Sequence, residues 1–171
     1  ARWKQGAMGK DKAGHPYGFP AYSFANSQDE FAYASVATTT YYPVTAVFTF
    51  YSVNSWLITP VLSVKNGDKF SFYTRGEEGT SYGDRLQVLM NKSSGSSVGY
   101  TTSSVGEFTI SLLDINSGQV PDGYPKTWTK YEYVFSGING NIETRIAFRY
   151  FVPSTIQSKG VGIDLFKFES F

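Results

Sequence analysis

The chain has no cysteine and a single histidine, His15, among its 171 residues. These absences exclude disulfides, thiolate nucleophiles, cysteine-ligated zinc and metal centres built from several histidines. Charge is scarce as well, since 17% of the residues are charged and 15 bases against 14 acids leave a net charge of +1. So small a net charge creates no strong electrostatic field, and we therefore expect neither nucleic acid nor an anionic membrane surface as a partner.

Long apolar runs and helical periodicity are also missing. The most apolar stretch, residues 44–53, is too short and too rich in hydroxyl groups to cross a bilayer, so no membrane span is predicted. Aromatic side chains are abundant instead, with 13 Tyr, 14 Phe and 3 Trp making up 18% of the chain. Aromatic residues fit pleated surfaces, and the many Gly and Ser residues supply turns, so the composition predicts an all-β protein.

Apolar and polar side chains alternate in several short segments that are separated by Gly, Asn and Ser turns. This pattern predicts strands with one buried face and, together, a β-sandwich. The predicted inward rows are Phe70, Phe72 and Thr74; Leu86, Val88 and Met90; and Ile146, Phe148, Tyr150 and Val152. Residues 1–30, punctuated by Gly and Pro, are predicted to be an arm or extended segment packed on the domain, and residues 31–171 a single sandwich domain.

The segment 74–88, TRGEEGTSYGDRLQV, concentrates charge as no other part of the chain does. We predict that it is a hairpin-like connection between two strands, in which Arg75 lies across from Asp84 and Arg85 and forms an arginine–carboxylate pair. An alternative is a polar rim at the end of the sandwich that binds a ligand or an ion. Its candidate ligand-binding residues are Arg75, Glu77, Glu78, Asp84 and Arg85.

Two aromatic residues near a predicted loop-to-strand junction, Tyr124 and Trp128, are further candidates for ligand binding. An exposed Trp128 would give a flat surface on which a sugar ring can stack. The same residue could equally be a staple that holds its loop to the sheet, and the sequence leaves both interpretations open.

Asp164 lies between apolar residues in the segment 160–166, and a buried carboxylate needs a partner. That partner is either an arginine or a backbone N–H, or a calcium ion. Catalysis has weak support: a glycoside hydrolase needs two carboxylates converging in one cleft, which sequence alone does not reveal. The GSSVG motif at 95–99 lies in a Ser/Gly turn and not before a helix, so we do not predict a serine hydrolase.

The segments NSWLITP (54–60), FSFYTR (70–75) and YGDRLQV (82–88) resemble the bacterial choice-of-anchor J domain family, which is related to the cleaved adhesin domain of gingipain-type haemagglutinins. VGEFTISLLDIN (105–116), YPKTWT (124–129), RIAFRY (145–150) and GID (162–164) follow in the order of that family. The resemblance covers about two-thirds of the chain, from residue 54 to 168.

This resemblance implies a jelly-roll β-sandwich, a two-sheet architecture like that of galactose-binding-like and concanavalin-like domains. It implies a non-catalytic, exported or cell-surface module of a larger bacterial protein, often from Bacteroidetes, with a leader that is not part of this sequence. The expected partner is a glycan or a host extracellular protein, and the alternative is a purely architectural domain. Structural calcium is also implied, with Asp164 and Asp29 as the expected metal ligands.

Overall fold

The computed structural model describes residues 3–6, 9–10, 12–14, 16–17, 19–22, 31–35, 41–42, 47–48, 52–78, 82–154 and 156–171, and all structural statements refer to these ranges. They contain strands and turns but no helix, which confirms the all-β prediction. The strands are β1 (Trp3–Gln5), β2 (Gly9–Lys10), β3 (Pro16–Tyr17), β4 (Ala32–Ser35), β5 (Tyr41–Tyr42), β6 (Val47–Phe48), β7 (Val53–Ile58), β8 (Leu62–Val64), β9 (Lys69–Gly76), β10 (Leu86–Met90), β11 (Ile110–Ile115), β12 (Thr129–Val134), β13 (Ile142–Thr144), β14 (Ile146–Val152) and β15 (Gly160–Glu169).

Two antiparallel sheets form the sandwich. The five-stranded sheet has the order β1-β4-β15-β9-β12, and the four-stranded sheet has the order β11-β10-β14-β7. Eight of these strands can be numbered one to eight along the chain: β4, β7, β9, β10, β11, β12, β14 and β15. Without β1, the five-stranded sheet then has the order 1-8-3-6, and the four-stranded sheet, taken from β7, has the order 2-7-4-5. This interleaving of two Greek keys is the jelly roll that the resemblance implied.

The chain crosses from one sheet to the other between β9 and β10, because β9 belongs to the five-stranded sheet and β10 to the four-stranded sheet. The predicted hairpin between these strands is therefore wrong. The side chains of both strands do face the same core, so alternation identified the buried face correctly. It could not distinguish a partner in the same sheet from one across the sandwich.

The core lies between the sheets and is built largely from aromatic rings. The predicted inward rows on β9, β10 and β14 are buried, with Phe70, Phe72, Leu86, Val88 and Ile146 fully so. Across the interface the Phe72 and Phe148 rings meet edge to face, 5.0 Å between centroids. Such contacts add about 0.5–1.5 kcal/mol to the burial of the rings themselves.

The apolar segment 56–64 divides between β7 and β8, which are separated around Thr59 and Pro60 because proline cannot donate to a ladder. Part of the predicted arm joins the five-stranded sheet, where Trp3–Gln5 pairs antiparallel with residues 32–34 of β4. None of the described residues belongs to a helix long and apolar enough to cross a bilayer.

Candidate functional site

Both ends of the connection from β9 to β10 are fixed by backbone contacts at one end of the sandwich. The Gly76 N–H donates to the Pro125 carbonyl at 2.7 Å, and the Gly83 N–H donates to the Gln157 carbonyl at 2.8 Å. Gly83 is required by close approach, since a Cβ there would lie 2.6 Å from the Gln119 carbonyl oxygen. The loop ends are therefore held in place by the chain segments around residues 119–125 and 157.

Asp84 is buried and accepts several hydrogen bonds at this end. Its Oδ1 accepts from the Tyr150 hydroxyl at 2.5 Å and from the Lys159 backbone N–H at 3.1 Å. Burial raises the pKa of the Asp84 carboxyl to about 6, although Tyr150 and the N–H groups of Lys159 and Gly160 partly oppose the shift and Glu77 adds to it. The predicted site residue thus has a structural role inside the loop.

Glu77 is likewise engaged by the protein. Its Oε1 accepts a hydrogen bond from the Tyr33 hydroxyl, and its Oε2 lies 3.1 Å from the Lys159 ammonium. Burial and the Glu77 carboxylate together raise the pKa of Tyr33 well above its ordinary value, so this phenol stays protonated and donates. The Glu77 side chain is 10% exposed and that of Lys159 is 41% exposed, so the cationic partner of the pair is the one at the surface.

Tyr124, another predicted ligand-binding residue, is buried beneath the loops. Its hydroxyl and the Thr74 hydroxyl are 2.6 Å apart, and burial raises the pKa of Tyr124 well above its ordinary value. Above it lies a pit of about 10 Å³, lined by Gly76, Glu77, Tyr82, Asp84, Asp122, Tyr124 and Lys126. That volume suits about one water molecule. A ligand larger than water must therefore lie over the pit and cannot enter it.

The arginines of the charged segment pair with other acids than predicted. The Arg75 guanidinium is buried, stacks over the Phe19 ring at 4.5 Å and lies 3.3 Å from the exposed Glu78 carboxylate. Arg85 binds Asp114 with two hydrogen bonds of 2.8 and 2.5 Å. The predicted pairing of Arg75 with the segment that opens β10 is therefore wrong, because β10 lies in the other sheet.

Trp128 has the contacts of a staple. Its indole N–H donates to the Pro20 carbonyl at 2.9 Å, and its ring meets Phe19 and Phe31 edge to face, each 5.5 Å away. It is half-buried, and its ring lies 6.4 Å from the ring of Tyr22, which is exposed. The residue thus joins the segment 19–22 to the sheet and also borders the surface.

Tyr22, Tyr73 and Trp128 form an aromatic group, which we call the aromatic platform. Tyr22 and Tyr73 are stacked, with ring centroids 3.9 Å apart and an angle of 17° between the planes, and Tyr22 remains 44% exposed. The Tyr22 backbone N–H donates to Asp164 Oδ2 at 2.9 Å, which fixes the position of this tyrosine. The platform lies beside the loop end because Thr129, next to Trp128, pairs with Thr74.

Asp164 satisfies its carboxylate with backbone donors, one of the alternatives drawn from the sequence. Besides Tyr22, the Leu165 N–H donates to its Oδ1 at 2.7 Å where β15 is irregular. Asp29, the other predicted calcium ligand, lies outside the described residues. Within the described part of the chain, no three Asp, Glu, His or Cys side chains are grouped closely enough to hold a metal ion. Calcium binding stays a prediction.

Sequence reasoning did not single out Tyr22, Tyr73, Tyr82 or Lys159. Tyr73 alternates with the inward row of Phe70, Phe72 and Thr74, and this alternation was a usable signal for its outward orientation. Tyr22 and Lys159 are far from residues 73–84 in sequence, and only the fold brings them to this end.

Comparison with known proteins identifies the fold. No family model and no curated protein matches the chain. The structure is similar to the K1 cleaved adhesin domain of Lys-gingipain from Porphyromonas gingivalis, with a TM-score of 0.54 and 17% identity over 99% of this chain and 84% of that chain. It is also similar to the K3 cleaved adhesin domain of the same protein, with a TM-score of 0.53 and 15% identity over 98% of this chain and 91% of that chain.

These identities are low, so the similarity establishes the fold alone. The predicted relationship to cleaved adhesin domains is confirmed at the level of architecture. Membership of the choice-of-anchor J family stays a prediction.

Proposed function

We propose that the chain is a non-catalytic adhesion module that binds carbohydrate across the aromatic platform and the neighbouring charged loops. The observation that carries the proposal is the stacked, partly exposed Tyr22–Tyr73 pair beside Trp128, on backbone held by hydrogen bonds. Flat rings of this kind present an apolar surface to the C–H face of a sugar. Because the rings are already fixed, little conformational entropy is lost on binding.

The polar groups beside the platform suit the hydroxyl groups of a sugar. Lys126 and Asp122 form an exposed ion pair of 2.6 Å, and the Lys159 ammonium lies 5.8 Å from the centre of the Tyr82 ring. Both pairs combine donors and acceptors at the surface of the loop end. An apolar ring flanked by a few polar groups is the usual composition of a site that orients a small polar ligand.

The geometry of Glu77 and Asp84 argues against glycoside hydrolysis at this end. Both carboxylates already accept hydrogen bonds from the protein, and the pit above them has room for about one water molecule. A glycosidase must place the scissile glycosidic bond of a sugar between its two carboxylates. This pair therefore serves to order the loops.

The structural neighbours support an adhesive role for the same fold, since both are named adhesin domains of Lys-gingipain. By that analogy we place this chain in an exported or cell-surface protein with further domains. A host extracellular protein is the second possible partner, because the charged loop residues would also suit a protein surface. Calcium is not needed for the proposed contact.

The test is a glycan array followed by isothermal titration calorimetry of the glycans that bind. The variants are Tyr22→Ala and Tyr73→Ala, and the matched control is Tyr100→Ala, since Tyr100 is a fully exposed tyrosine in the loop between β10 and β11. Two lost aromatic contacts of about 0.5–1.5 kcal/mol each would weaken binding about 5- to 150-fold in the double variant, with no change in the control.

A binding curve that is unchanged in the double variant would place the contact elsewhere and refute the platform. Absence of binding to any glycan, together with binding to an extracellular matrix protein that depends on Lys126 and Lys159, would favour the protein partner. If neither class of ligand binds, the architectural alternative is the better explanation.

A further inference from the structure

A second concave site lies at the opposite end of the sandwich. It is a cleft of about 570 Å³ between the edge strands β11 and β12, and its lining includes Lys92, Ile110, Leu112, Phe135, Ile138 and Ile142. Val134 pairs with Lys69, at the far end of β9 from Gly76, so the cleft and the pit lie at opposite ends of that strand. The volume of the cleft lies within the range of small-molecule sites.

The interior of this cleft is apolar. Met90, Leu112 and Phe135 belong to the main core and form its buried part, while Ile110, Ile138 and Ile142 pack against that core and remain partly exposed. Phe135 meets the Tyr133 ring edge to face at 5.3 Å. An apolar chain placed here would cover side chains that the two sheets leave open at their edge.

The wall formed by residues 136–142 is held to the rest of the domain. The Asn66 side chain donates to the Ile138 carbonyl at 2.7 Å and accepts from the Ile138 N–H at 2.8 Å. Ile142 also pairs with Val64 in the small sheet of β8 and β13. The cleft is thus preformed, which lowers the conformational cost of binding.

Among the described residues that line the cleft, Lys92 is the one cation and there is no acid. Lys92 is exposed, and within the described ranges its ammonium forms neither a hydrogen bond nor an ion pair. The preceding residue, Asn91, is held by hydrogen bonds. Its carbonyl accepts from the Thr144 hydroxyl at 2.7 Å, and its Oδ1 accepts from the Arg145 N–H at 2.8 Å. The Lys92 ammonium therefore extends from a well-held stretch of backbone at the mouth of an apolar cleft.

From this arrangement we infer that the cleft binds a small amphiphilic carboxylate of the fatty-acid type. The hydrocarbon chain occupies the space between Ile110, Leu112 and Ile138, and the carboxylate meets the Lys92 ammonium at the mouth. Ser136 and Asn139 line the same cleft and offer further polar side chains. This inference goes beyond the proposed carbohydrate contact and concerns different residues.

The experiment is calorimetric titration of the whole chain with hexanoate, octanoate and decanoate, and with decyltrimethylammonium as a probe of equal chain length and opposite charge. We expect affinity to rise with chain length. We expect the cationic probe to bind about tenfold more weakly than decanoate, because it exchanges attraction to Lys92 for repulsion. No binding of decanoate, or equal binding of both ten-carbon probes, would overturn the inference.

Two variants locate the site. Ile138→Trp fills the cleft and should abolish decanoate binding, whereas Lys92→Gln removes the charge and should weaken binding about three- to fivefold. Lys130→Gln is the matched control, because Lys130 lies on β12 outside the lining and should leave binding unchanged. If Ile138→Trp lowers the melting temperature sharply, the exposed Lys92→Gln decides alone, and unchanged affinity in that variant refutes the site. Tyr22→Ala should not alter decanoate binding, so failure of this inference is distinguishable from failure of the proposed function.

Discussion

Replacing Asp84 by asparagine should make the domain more stable at neutral pH, and the gain should shrink as the pH falls towards 4. Asparagine keeps a carbonyl oxygen that can accept from the Tyr150 hydroxyl and the Lys159 N–H. It lacks the negative charge that burial makes unfavourable. The variant therefore resembles the protonated form of Asp84 at every pH.

The magnitude follows from the pKa shift. The pKa of Asp84 is raised from 3.8 to about 6 in the folded protein, so folding favours the protonated carboxyl. The stability that protonation of Asp84 contributes is fully present below the unfolded pKa of 3.8. It is lost as the pH rises through the folded pKa of about 6. Each pH unit corresponds to about 1.4 kcal/mol. The free energy of unfolding of the asparagine variant should therefore exceed that of the wild type by about 0.5 kcal/mol at pH 4 and about 3 kcal/mol at pH 7.

The assay is urea unfolding of both proteins at several pH values from 4 to 8, since the difference between them cancels the titration of all other groups. Asp84→Ala is the control. It removes the charge and the acceptor together, so it should lie below the asparagine variant by a nearly constant amount at every pH, about 1–3 kcal/mol for each buried donor left unpaired. A difference between wild type and Asp84→Asn that is independent of pH, or that grows as pH falls, would refute the account of Asp84.

Three further predictions concern the same end of the domain. Gly83→Ala should lower the free energy of urea unfolding by at least about 1–3 kcal/mol, because its Cβ would meet the Gln119 carbonyl; an unchanged midpoint would contradict that contact. Arg85→Gln should cost less than about 1 kcal/mol in the same assay, because its pair with Asp114 lies near the surface, and a larger loss would show a stronger coupling than a partly exposed pair allows. If Asp164 binds calcium, a chelator should lower the melting temperature of the wild type more than that of Asp164→Asn, and equal melting curves with and without chelator would remove the calcium prediction.

The sequence indicated which face of each strand is buried, but it did not indicate which strands pair with each other. Alternation along residues 69–75 and 143–152 identified the rows of Phe70, Phe72, Phe148 and Tyr150 as buried, and they are. Alternation reports the environment of each side chain, which is a local consequence of the pleat. It carries no information on which strand supplies the neighbouring backbone.

The hairpin expectation failed for this reason. A short loop between two strands favours antiparallel neighbours in one sheet, but jelly-roll chains cross the sandwich repeatedly. Once β9 and β10 are in different sheets, Arg75 and Arg85 point to different surroundings and meet Glu78 and Asp114 instead of each other's segment. The pairing error is thus a direct result of the topological error.

The candidate site shows a similar division. The pit brings together three residues that the sequence offered as separate candidates, Glu77, Asp84 and Tyr124. Their role differs from the ligand rim considered from the sequence, because all three are turned inward and already bonded to the protein. Burial could not be read from a segment whose composition is that of an exposed turn.

The dense charge of residues 75–85 is therefore mostly internal, and this decides where a ligand can make contact. The acids at 77 and 84 hold the loops together through Tyr33, Tyr150 and Lys159, so removing either from its partners to bind a ligand would cost the hydrogen bonds that order the loops. Exposed side chains that do not take part in these hydrogen bonds, Tyr22 above all, can bind a partner without breaking them. The rigid polar network and the open aromatic platform are then two parts of one arrangement, in which the first fixes the loop end and the second is free to touch another molecule.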